Sequence, residues 1–327
     1  MKLGKLFAAA MGIMGSLVLS TTVYAGTNEL TGLEVDDSIA GQRPVAIMVD
    51  NEKKALQHYG VGEADVVYEM MNSTANGRIT RLMCLYKNWQ NLAQTGSIRS
   101  TRTTNVILSG EYNAVLIHDG GPFYINTYLA QPYAAHISGG FTRIKNGKPT
   151  EFTEYVFGQE MLSRFSKAGL STNYTAALER PTHFLFNASD TGNGGTAANT
   201  VDLSKVFPHN SSKLLYNAGT ATYDYYEYGA LHTDAEDGQA ATFKNVILQN
   251  VTFSQLDKNG YLTYNVIGSG SGYYITDGAV IPITWSKGSE TGFTHYYNAA
   301  GQEITINRGK TYIGLVPSDS WGNVVIG

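Results

Sequence analysis

Four short apolar runs carry charged or imidazole side chains at or near their ends, and this arrangement constrains the chain most. They are Arg43-Pro-Val-Ala-Ile-Met-Val-Asp50, Ala64-Asp-Val-Val-Tyr-Glu69, Ile79-Thr-Arg-Leu-Met-Cys-Leu-Tyr86 and Ala114-Val-Leu-Ile-His-Asp119. Runs of this length, rich in Val and Ile, read as strands. Between the last two lies Gly96-Ser-Ile-Arg-Ser-Thr-Arg102. Strands that deliver Asp50, Glu69, His118 and Asp119 to one sheet rim would gather acids, a base and arginines there, as a binding or catalytic site requires.

The first 25 residues read as a secretory signal: Lys2 and Lys5 start it, Leu6 to Leu19 is uncharged, and Val23-Tyr-Ala25 offers small residues for cleavage after Ala25. The expected product is secreted or extracytoplasmic. The apolar stretch is too short for a lasting membrane span. Without Lys2 and Lys5, 21 basic residues face 27 acidic ones, a formal charge of −6. That balance argues against nucleic-acid partners, which need a basic surface. Cys84 is the only cysteine, so no intrachain disulfide can form, and no cysteine near the cleavage site offers a lipid anchor. Its apolar surroundings predict a buried thiol.

The chain changes character near residue 190. Before it, strands alternate with helical stretches: 52–58, 101–110 started by Ser97 or Ser100, 122–130, and 157–168 ended by Gly169. This predicts an α/β domain over residues 26–186. Residues 187–200 have almost nothing apolar to bury and read as a flexible linker or long surface loop. Residues 201–327 show short Tyr-, Val-, Ile- and Thr-rich runs punctuated by Asn259-Gly260, Asp277-Gly278 and Ala300-Gly301, predicting a mainly antiparallel β domain.

Arg99 and Arg102, three apart at a predicted helix start, share a face and suit a carboxylate or phosphate ligand; the plainer reading is a structural bridge to Glu69 or Asp119. Arg81, inside a strand, needs an acid partner. With Asp119 these arginines form the predicted ligand-binding set. Asp50, Glu69 and His118 are the candidate acids and base, with ion pairing or rim hydrogen bonding as the plainer alternatives. No histidine or cysteine spacing points to a metal, and no motif implies a cofactor. In Thr222-Tyr-Asp-Tyr-Tyr-Glu-Tyr228, Tyr223, Tyr225 and Glu227 share one strand face. That face suits sugar stacking or, more simply, core packing.

The runs above, with Thr31-Gly-Leu33, Gly77-Arg-Ile-Thr-Arg-Leu-Met83 and His118-Asp-Gly-Gly121, resemble the YerB-like family of exported bacterial proteins of unestablished function. A looser resemblance continues through His232-Thr-Asp234, Lys244-Asn-Val-Ile247, Trp285-Ser-Lys287 and Val316-Pro317. It implies an N-terminal and a C-terminal domain and an envelope location, and supplies no reaction. Three functions follow as expectations: binding of an anionic or polyhydroxylated envelope component such as a cell-wall glycan, hydrolysis of an envelope polymer, or a structural surface role with no small-molecule site.

Overall fold

The computed structural model describes residues 26–176, 178 and 181–327; the predicted signal segment lies outside them. The principal elements are β1 (Val45–Asp50), β2 (Val66–Met71), β3 (Thr80–Tyr86), α1 (Thr103–Glu111), β4 (Val115–His118), β5 (His136–Ser138), α2 (Gly158–Ala168), β6 (Lys213–Asn217), β7 (Thr222–Glu227), β8 (Asn245–Val251), β9 (Gly268–Thr276), β10 (Ala279–Lys287) and β11 (Thr311–Pro317).

Both halves of the chain build one central sheet, eleven-stranded among the described residues. Its main path runs β10-β9-β8-β11-β2-β3-β1-β4-β5. β11 is the seam: it lies parallel to β8 on one side and to β2 on the other. β3 pairs antiparallel with both β1 and β2, while β4 runs parallel to β1.

The central strands are buried on both faces, which explains why their sequences are continuous apolar runs rather than alternating ones. Alternate residues feed two cores. Val45, Ile47, Val49, Leu82, Cys84 and Tyr312 face one core, which also receives Met161 and Phe165 of α2 and Leu214, Tyr223 and Tyr225 of a second sheet. Ala46, Met48, Met83, Leu85 and Ile313 face the other, under Val106, Ile107 and Leu108 of α1. Cys84 is fully buried, and desolvation pushes its thiol up to about 12. It packs as a small hydrophobe.

The N-terminal half is less helical than an α/β layer requires. The stretch expected at 52–58 forms only a 3₁₀ turn, Lys53–Ala55, and 122–130 gives a 3₁₀ turn and a single four-residue turn of helix, Asn126–Leu129. The chain is therefore mostly strand, with the C-terminal part mainly antiparallel. α2 follows its predicted bounds, and Gly169 closes it in the left-handed conformation. α1 is not started by Ser97 or Ser100. Arg102 is its N-cap, and the Asn105 side chain accepts from the Arg102 backbone N–H at 3.0 Å.

Segment 187–200 is a surface loop tied to the body at several points. Asn187 Nδ2 and the Thr191 N–H both donate to Asn307 Oδ1, at 2.8 and 2.9 Å, and Thr196–Ala197 pairs with the start of β10. Side-chain amides and one buried core residue, Ala198, thus hold a segment that is otherwise polar.

Candidate functional site

Asp50 ends β1, and the antiparallel register places Arg81 of β3 directly opposite it. Arg81 donates to Asp50 Oδ2 at 3.1 Å. Segment 97–101 then threads past the ends of β1 and β4. The Asp50 N–H donates to the Ser97 carbonyl, the Arg99 N–H to Met48, the Asp119 N–H to Arg99, and the Thr101 N–H to Gly120. This backbone lacing delivers two more arginines. Arg99 Nε lies 2.7 Å from the same Asp50 oxygen, and its other end reaches the exposed Glu151 at 3.2 Å. Arg102 donates to Ser100 Oγ and to the Thr101 carbonyl, at 3.0 and 2.9 Å, and its guanidinium lies 4.5 Å over the Tyr261 ring. Ser100 Oγ also accepts from Arg81 at 3.0 Å, so it joins the two guanidiniums.

These side chains line a cavity of about 570 Å³, a volume suited to a small-molecule ligand. Asn72, Ser73, Asn76, Asn259 and Tyr261 add amides and hydroxyls to its wall. Glu52 and Glu151 also line it but are the more exposed acids, and Glu52 faces His209 at 3.2 Å. The buried part of the wall holds two guanidiniums, Arg81 and Arg102, and one carboxylate, Asp50, which pairs with Arg81. Arg102 has no ion-pair partner among the described residues, and the buried Nε atoms of Arg81 and Arg102 have no hydrogen-bond partner. Burial first, then the neighbouring Arg81, lowers the Arg102 pKa to about 9, which leaves it charged at neutral pH. Buried arginines are normally paired, so this wall is short of negative charge.

The predicted site residues separate into three places. Asp50, Arg81, Arg99 and Arg102 come together, although Arg99 and Arg102 both precede the helix rather than share a face of it. Neither arginine reaches Glu69 or Asp119; the partners are Asp50 and Glu151. Glu69 points into the core between the sheets. It accepts from Thr80 Oγ1, Ser212 Oγ, Tyr312 OH and Tyr225 OH at 2.8, 2.7, 2.7 and 3.1 Å. Burial raises its pKa despite these donors. His118 is buried at the end of β4, with Nδ1 2.8 Å from the Gly120 carbonyl and Nε2 3.3 Å from His136 Nδ1. Desolvation lowers its pKa to about 4. Asp119 faces Arg143 at 3.6 Å, beside Glu154, whose pKa burial and Asp119 push up to about 7. The three candidate acid/base residues therefore do not meet around one cavity.

Sequence reasoning missed Tyr261, Ser100 and the asparagines of the wall. Asn259-Gly260 was legible as a turn, but nothing local showed that this turn approaches Arg102. His183 belongs to a separate buried cluster. It lies 2.7 Å from Glu111, which also meets Lys287 at 3.0 Å.

Two family models match, described as the N-terminal and C-terminal domains of DUF3048, a protein family of unknown function. They cover residues 30–171 and 202–313. The chain is 26% identical over 306 residues to YerB of Bacillus subtilis, whose name marks it as a candidate lipoprotein; the match spans 90% of this chain and 85% of YerB. The crystal structure of YerB from Bacillus subtilis superposes with a TM-score of 0.77 at 23% identity, covering 90% of this chain and 98% of that one. That likeness shows a shared fold. With both domain models matched in order over most of its length, the chain belongs to the DUF3048 family.

Proposed function

We propose that this chain is an exported envelope protein that binds an anionic, hydroxyl-rich ligand, such as a phosphate- or carboxylate-bearing cell-wall glycan, in the arginine-lined cavity. One observation carries the reading: Arg102 is buried in the cavity wall, charged, and without a carboxylate partner. A ligand anion would supply the missing charge, and guanidiniums bind carboxylate and phosphate through charge-assisted hydrogen bonds. The amides and hydroxyls of the wall suit a polyhydroxylated scaffold, and the Arg102–Tyr261 stack holds the guanidinium in place. The signal-like N-terminus and the lipoprotein name of YerB support an extracytoplasmic location.

A hydrolase reading has less support, because Asp50 is engaged by two arginines while Glu69 and His118 lie elsewhere. A purely structural role would not need the cavity. Calorimetric titration with soluble wall fragments tests the proposal: a phosphate-bearing, a carboxylate-bearing and a neutral glycan. Binding of a charged fragment, absent for the neutral one, is expected; no binding of any fragment, or equal binding of all three, would count against it.

A further inference from the structure

Three titratable side chains, Glu227 and His232 around the end of β7 and His58 from the N-terminal half, meet inside the protein. Glu227 lies on the core face of β7, beside Tyr223 and Tyr225. His232 follows after the turn and returns against that strand: its N–H donates to the Tyr225 carbonyl at 2.8 Å, and its Nδ1 lies 2.7 Å from Glu227 Oε1. His58 comes from the N-terminal half. Its Nδ1 is 3.8 Å from the same Glu227 oxygen, and the two imidazole centroids are 5.1 Å apart. All three residues are buried, and one ligand atom from each lies within 4.8 Å of the others.

The polar atoms here are poorly satisfied. His58 Nδ1 and Nε2, His232 Nε2 and Glu227 Oε2 are all buried with no close hydrogen-bond partner; the His58 ring also lies against the Asp50 main chain, which hydrogen-bonds it weakly. Buried polar groups are nearly always paired, and an orphan is costly to keep. One of these orphans, His58 Nδ1, faces the same Glu227 oxygen as His232 Nδ1, and a partner held between the three side chains would satisfy it. That partner must accept lone pairs from two imidazoles and a carboxylate at once, which is what a cation does.

We propose that His58, Glu227 and His232 form a site for one divalent transition-metal ion of the zinc type. Two imidazoles and one carboxylate are a common donor set for zinc. Zinc–nitrogen bonds of about 2.0–2.1 Å place tetrahedral ligand atoms roughly 3.3 Å apart. His58 and Glu227 close in slightly to reach this, and His232 and Glu227 open slightly. The ion would tie the end of β7 to the segment that carries His58, adding a further link between the two halves of the chain.

The test uses the whole untagged chain, stripped with chelator and titrated with Zn²⁺ and Co²⁺. One ion per chain, a visible Co²⁺ absorption displaced by Zn²⁺, and a higher melting temperature with Zn²⁺ are expected. His58→Gln and Glu227→Gln should each weaken Zn²⁺ binding by at least about tenfold, whereas His295→Ala, at an exposed histidine, should not. The wild-type measurements stand even if a variant fails to fold. No stoichiometric uptake by the wild type would overturn the proposal, as would uptake that survives both glutamine variants or vanishes with His295; the cluster would then be bridged by water only.

Discussion

The Arg102 guanidinium lies 4.5 Å over the Tyr261 ring, and its nearest hydrogen-bond acceptors are neutral: Ser100 Oγ and the Thr101 carbonyl. A buried cation held by an aromatic face and neutral oxygens has been positioned but not neutralised. This distinguishes it from Arg81 and Arg99, which both reach Asp50.

Asp50 is the electrostatic keystone of the cavity. Asp50→Asn keeps the side-chain oxygen that accepts from the Glu52 N–H at 2.7 Å and removes only the charge. Arg81 and Arg99 then lose their common counter-charge. We expect a loss of roughly 3–5 kcal/mol, the cost of breaking a buried ion pair, measured by urea denaturation. A loss below about 1 kcal/mol would mean that the arginines are well solvated.

Glu69 serves the fold rather than the site. Four hydroxyls converge on it, all free to donate to a carboxylate. Glu69→Gln puts an NH₂ group among donors, and we expect a loss of about 1–3 kcal/mol with ligand affinity unchanged. Lost ligand binding in a variant that still folds would return Glu69 to the site.

His118 gives a signed pH effect. Its folded pKa of about 4 lies below the ordinary 6.5, so the folded state favours the neutral ring. The unfolded chain takes up the proton first as pH falls. The stabilisation is therefore complete above pH 6.5 and is lost as pH drops toward 4. The full swing is on the order of 3 kcal/mol. Between pH 7.5 and 4.5, the stability of the wild type relative to His118→Asn should fall by about 2–3 kcal/mol. A constant difference across that range would rule this effect out.

Much of the cavity was readable because it is built from strand ends and adjacent segments. Asp50, Arg81, Arg99 and Arg102 all lie within 53 residues of sequence, and the β1–β3 register places the first two opposite each other. Glu69 was misplaced because its direction is set by the second sheet: Ser212, Tyr225 and Tyr312 come from more than 140 residues away. The same distance hid the shared central sheet, since nothing local in Thr311–Pro317 says that it pairs with Val66–Met71. Glu227 did leave a trace. Strict alternation put it on the same face as Tyr223 and Tyr225, and an acid on a core face needs a partner. His58 and His232 could not be named as those partners from spacing alone.

The most direct test of the anion-binding account is calorimetry on Arg102→Gln alongside the wild type, using the charged wall fragment that the wild type binds best. Glutamine retains hydrogen bonding and removes a buried charge that has no carboxylate partner. We expect affinity to fall by roughly 10–100-fold, the worth of a charge-assisted hydrogen bond, with a melting temperature equal to or above that of the wild type. Unchanged affinity in a variant that melts well below the wild type would contradict the account and leave Arg102 a structural residue.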